Sequence, residues 1–111
     1  MLRQLVLACS LALVVTASHA QPIPPSSDPA AEAGYMYTFK GCRDGALLKY
    51  DDHKSDPDLV ADAVVGVCSG LLEKIAALRT GTLDLEQALV FRQSFIRGTW
   101  GAVRKIVAQQ R

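Results

Sequence analysis

Histidine is scarce in this sequence: His19 and His53 are the only two. That excludes a histidine-rich metal centre and a paired-histidine mechanism. Cysteine is limited to Cys9, Cys42 and Cys68, too few ligands for a zinc site and without the Cys-x-x-Cys spacing of a redox pair. Aromatic residues make up 6% of the chain. No apolar run reaches the roughly 18 residues that cross a bilayer. No alternating strand pattern and no internal repeat is present. Charge of one sign is missing too: 12 Lys plus Arg stand against 11 Asp plus Glu, which leaves no electrostatic footprint for nucleic acid.

What is present begins with an export signal. Met1-Leu2-Arg3 carries one positive charge, Leu5 to Val15 is an apolar core, and Ser18-His19-Ala20 places small residues before a cut at Gln21. Residues 1–20 are therefore expected to be a cleaved Sec signal peptide, leaving no transmembrane segment. The expected compartment is the periplasm of a Gram-negative bacterium, with release to the medium as the lesser alternative. Acylation at Cys9 is excluded because the apolar core runs on past it. Removal of Arg3 leaves 11 basic against 11 acidic residues, a net charge of zero.

Residues 21–28, with their prolines and serines, read as a flexible tether, and 29–111 as one small helical domain. A domain of about 90 residues buries little apolar surface and gains much from a crosslink. Cys42 and Cys68 remain after cleavage in an oxidising compartment, so they are expected to form a disulfide.

Three helices are expected. Asp28-Pro29 is an N-cap followed by a first-turn proline, and Tyr35, Phe39, Cys42, Ala46 and Tyr50 share a face. Asp56-Pro57-Asp58 repeats that start signal; Val60, Val64, Val67, Cys68, Leu71, Ile75 and Leu78 form an arc ending near Thr80-Gly81. Asp84-x-x-Gln87 is a capping box for a third helix to about Gln109, whose stripe is Leu85, Leu89, Ile96, Trp100, Val103 and Val107. Arg104, Lys105 and Arg111 suit its C-terminus. At 1.5 Å per residue, Cys42 and Cys68 lie at similar heights in an antiparallel hairpin. The fold class is thus all-α: a helical hairpin plus a third helix with one interhelix disulfide.

Several residues stand out for function. Arg92 falls inside the third helix's apolar stripe and needs a partner: Asp44, Asp62 or Glu73 within the chain, or an anionic group on a ligand or another protein. Arg97, Trp100, Arg104 and Lys105 join it as candidate contacts. Residues 44–62 carry six Asp against two Lys, while 92–111 carry five basic residues and no acid, so the two stretches are expected to face each other or to serve for docking. Ala63, Gly66, Gly70 and Ala77 form a small-residue stripe, expected to seat the third helix with help from Gly98 and Gly101, or alternatively a second copy. Asp51, Asp52, His53, Asp56 and Asp58 read as a capped, solvated turn rather than a cation loop. Ser69 and Ser94 lie on helices without a triad partner, and no catalytic residue, metal or cofactor is expected.

The export signal, the helical disulfide domain and Cys68-Ser69-Gly70 early in a helix resemble the small secretion-toxin immunity proteins. The general design is similar to periplasmic acid-stress chaperones. The third helix departs from the first pattern and the cysteine spacing from the second, so no site residue is carried across. Both resemblances imply a non-enzymatic protein that binds another protein or an envelope component; a small-ligand carrier, with Tyr35, Phe39, Phe95 and Trp100 around a cavity, is the alternative.

Overall fold

The computed structural model describes residues 23–111; the expected signal peptide lies outside them. Three helices follow one another, α1 over Pro29–Tyr50, α2 over Pro57–Thr80 and α3 over Leu85–Gln109, and the described residues contain no strand. Each start is fixed by its own residues. The Asp28 carboxylate accepts from the Ala31 N–H and that of Asp56 from the Asp58 N–H, with proline opening both helices. Asp84 and Gln87 close a reciprocal capping box on α3. Gly81 ends α2 in a right-handed conformation, φ −60°, and Leu83 N–H then donates to Thr80 O. The helix thus ends where the sequence places it, at Thr80-Gly81, without a left-handed backbone at the glycine.

The middle helix in sequence is also the middle helix in space. α2 packs against α1 on one side and α3 on another, while α1 and α3 make no Cα approach within 8 Å. Val60, Ala61, Val64, Val65, Cys68, Leu72, Ile75 and Ala76 supply eight of the twelve buried apolar residues among those described; α1 adds Phe39 and Ala46, and α3 adds Val103 and Val107. Two neighbours require a wide buried arc, and Ala61 and Ala76 keep it thin enough for both to approach. The single arc expected from sequence is therefore too narrow: Val67 is exposed, and Ala61, Val65, Leu72 and Ala76 are buried instead.

Cys42 and Cys68 form the expected disulfide, S–S 2.06 Å and Cα–Cα 5.9 Å. It fastens α1 to α2 near the middle of each. A second tie closes the far end of this pair, where Arg79 Nε and Nη2 donate to the two Glu32 oxygens, each at 2.6 Å, and Nη1 donates to Pro24 O at 3.0 Å. Ser27 N–H also donates to Leu78 O. The non-helical segment before α1 thus runs along the last turn of α2.

Candidate functional site

Along the α2–α3 pair, polar side chains form a descending ladder. Arg92 meets Glu73, the Trp100 indole N–H donates to Asp62 Oδ1 at 2.7 Å, Arg104 meets Asp58, and Arg111 Nη1 donates to Asp51 Oδ1 at 2.8 Å. As numbers rise along α3 they fall toward the start of α2, as an antiparallel pair requires. The acidic stretch and the basic stretch face each other, and three of the five basic residues are occupied by acids within the chain.

Arg92 finds the partner its position demanded. Its Nε donates to Glu73 Oε2 at 2.7 Å, and Nη2 bonds the other oxygen. The pair stays largely in solvent, with side chains 44% and 41% exposed. Hydrogen bonding from Arg92 holds the Glu73 carboxyl below its ordinary value, and Glu73 in turn raises the guanidinium. The setting is less apolar than a place on the stripe implies: Leu85, on the same stripe, is 77% exposed. Leu89 is exposed as well.

Arg92, Arg97 and Trp100 come together around an open groove, with Gln93 and Ile96 on the α3 wall and Asp62, Val65 and Gly66 contributed by α2. Trp100 is half-buried against the core, and Asp62 fixes its ring through the indole N–H. Arg97 has no ion pair among the described residues and remains available. Arg104 lies further along the ladder, bound to Asp58, and exposed Lys105 makes no such pair among the described residues. Neither lies in the last helical turn, which contains no basic residue because α3 ends at Gln109.

The small-residue stripe of α2 has a different role from the expected one. A Cβ added at Gly66 or Gly70 would meet nothing within 4 Å, and the same holds at Gly98 and Gly101. α3 therefore does not seat on these glycines; it packs through Val103 and Val107 on the neighbouring arc, and Gly66 is left as part of the groove.

The turn between α1 and α2 is more built than a solvated loop. The Asp51 side chain, 4% exposed, accepts from Arg111 and from the His53 N–H. Asp52 accepts from Lys54 N–H, Ser55 N–H and Ser55 Oγ, and these bonds hold its carboxyl far below the ordinary range. His53 adopts φ 61°, in the left-handed region. Asp51 thus ties Arg111 to the α1–α2 turn. Among the described residues no group of three or more His, Cys, Asp or Glu is placed to hold a metal ion.

Glu32 completed these arrangements without being singled out from sequence, whereas Asp62 was anticipated as a possible partner of Arg92 and holds Trp100 instead, and Gly66 was anticipated in the small-residue stripe and lines the groove. Glu32 and Arg79 lie 47 positions apart, and only the register of the hairpin brings them together. Compared with known proteins, the chain matches no family model, and no curated protein or solved structure is significantly similar to it. The architecture itself defines an all-α class: three helices, the first two joined by a disulfide.

Proposed function

We infer that this chain is an exported, non-enzymatic binding protein that engages a carboxylate-bearing protein or envelope component at the α2–α3 groove. The observation carrying this reading is the groove's wall of two arginines and a tryptophan, of which Arg92 and Trp100 are already oriented by Glu73 and Asp62. Arginine and tryptophan are the residue types that dominate binding hot spots, and side chains fixed beforehand lose less freedom on association. Arg97, unpaired within the described chain, supplies the fork for a partner carboxylate. Phe39, Phe95 and Trp100 belong to the packed core and its margin, which favours a binding surface over a carrier cavity. Export is supported by the sequence of residues 1–20 and agrees with the disulfide.

A photo-crosslinking residue in place of Gln93 tests this in intact cells. The expected result is a discrete adduct that disappears with Arg97→Glu and weakens with Trp100→Ala, while the melting temperature of Arg97→Glu stays unchanged. Adducts indifferent to Arg97→Glu would refute the groove as the contact surface.

A further inference from the structure

The α2–α3 groove holds two charges of opposite sign, each with bonding capacity left over. Arg97, on the α3 wall, has no ion pair among the described residues. Asp62, on the α2 wall, accepts the Trp100 indole N–H through Oδ1 at 2.7 Å, and its Oδ2 meets no donor among the described residues. The two do not pair with each other. The bond to the indole holds Asp62 at the height of Trp100, and Arg97 precedes Trp100 by three residues, about 4.5 Å along the helix axis. A free cation and a half-used carboxylate therefore stand nearly one turn apart on facing walls. The other cation of the groove, Arg92, already has both Glu73 oxygens.

A ligand carboxylate on Arg97 alone would leave Asp62 nearby as an uncompensated like charge, so the groove favours a molecule that brings an ammonium beside its carboxylate. An amino-acid head does this. Its N–Cα–C geometry sets the nitrogen about 2.5 Å from the carboxyl carbon. With a charge-assisted contact of about 2.8 Å on either side, the head bridges groups up to about 8 Å apart. The groove is larger than such a head. Its volume of about 720 Å³ falls in the range that takes a drug-sized molecule, and Ile96 and Val65 continue the wall beside Trp100 with apolar surface suited to a methylene stem.

We propose that the α2–α3 groove binds an amino-acid head, ammonium and carboxylate on one carbon, displayed at the end of a longer molecule. The carboxylate takes Arg97, the ammonium takes Asp62 Oδ2, and the stem lies along Trp100 and Ile96. This rests on the reading of the groove as a carboxylate-binding site and narrows its partner. Residues within a protein chain have both groups tied up in peptide bonds, so the occupant is an envelope component whose amino acid is joined through its side chain, such as a diamino acid acylated on one nitrogen.

Trp100 is the single tryptophan of the chain, so its fluorescence reports occupancy of the groove. Titration of the disulfide-bonded protein with Nε-acetyllysine, in L and D forms, tests the proposal. At least one form should give a saturable change, at roughly millimolar strength for a ligand this small. Nα,Nε-diacetyllysine, without the ammonium, and Nε-acetyllysinamide, without the carboxylate, should each bind about tenfold more weakly. Asp62→Asn keeps an oxygen for the indole N–H; it should lose about tenfold toward Nε-acetyllysine and nothing toward the diacetyl compound. Alanine, a free amino acid without a stem, should bind more weakly than Nε-acetyllysine, and equal binding would overturn the assignment to a longer molecule. Undiminished binding of the diacetyl compound, or an Asp62→Asn variant that binds Nε-acetyllysine as the wild type does, would overturn the inference and leave the carboxylate reading at Arg97 standing. A saturable change indifferent to Arg97→Glu would overturn both. No saturable change with any compound would overturn the inference, and the Arg97-dependent adduct at Gln93 would then decide the underlying reading by itself.

Discussion

Opening the Cys42–Cys68 bridge removes the covalent crosslink between the middle of α1 and the middle of α2. The bridge closes a loop with a sequence separation of 26, for which the chain-entropy model gives about 3.5 kcal/mol at 25 °C. A domain of 60 to 100 residues shifts its melting temperature by about 4 to 8 °C per kcal/mol, so reduction should lower it by about 14 to 28 °C. The loss should also be uneven. α1 touches α2 but not α3 and places only Phe39 and Ala46 in the core, whereas the α2–α3 pair keeps Val103, Val107 and its polar ladder. Thermal melts with and without reductant, with free thiols confirmed by mass, measure the shift; hydrogen exchange on the reduced protein shows where it falls. Amides of α1 should lose protection ahead of those in α2. A shift below about 5 °C, or simultaneous loss of protection in all three helices, would refute the reasoning.

Acid should destabilise the protein in a defined window. Hydrogen bonding from Arg79, Arg92 and Arg111 lowers the carboxyls of Glu32, Glu73 and Asp51 respectively. A carboxyl lowered in the folded state stabilises fully above its unfolded value and loses that contribution as pH falls through the folded one. Melting temperature should therefore be level near neutrality and fall below about pH 4.5, less steeply in Glu32→Gln; an equally steep fall in that variant would refute the assignment. Because the Arg92–Glu73 pair is largely solvated, Arg92→Ala should leave the urea midpoint close to that of the wild type; a large drop would reveal burial the structure does not show. Gly66→Ala has open space at its Cβ and should stabilise α2 by about 0.5 to 1 kcal/mol in the same assay, and destabilisation would contradict that space.

What was legible in the sequence was local. Asp28-Pro29, Asp56-Pro57 and Asp84 with Gln87 act through atoms within one turn, so their meaning does not depend on the rest of the fold. The disulfide was legible because both cysteines sat at matched heights on apolar arcs. Burial on α2 was not: a helical wheel assigns one apolar centre, whereas Val65 and Leu72 belong to a helix with two neighbours. The exposure of Leu85 escaped for the converse reason, since periodicity shows a stripe and not how far the neighbouring helix covers it. The Arg92–Glu73 pair was among three anticipated partners, but Arg79–Glu32 depends on a register that no local pattern encodes.

Because α1 and α3 meet only through α2, the three helices behave as a linear array with nearest-neighbour coupling rather than as a closed triangle. Free-energy changes in the outer two helices should then combine by simple addition, while changes in the central one are felt on both flanks. The outward surfaces of α1 and α3 can accordingly diverge under separate selection, with the sequence of α2 held in place by both.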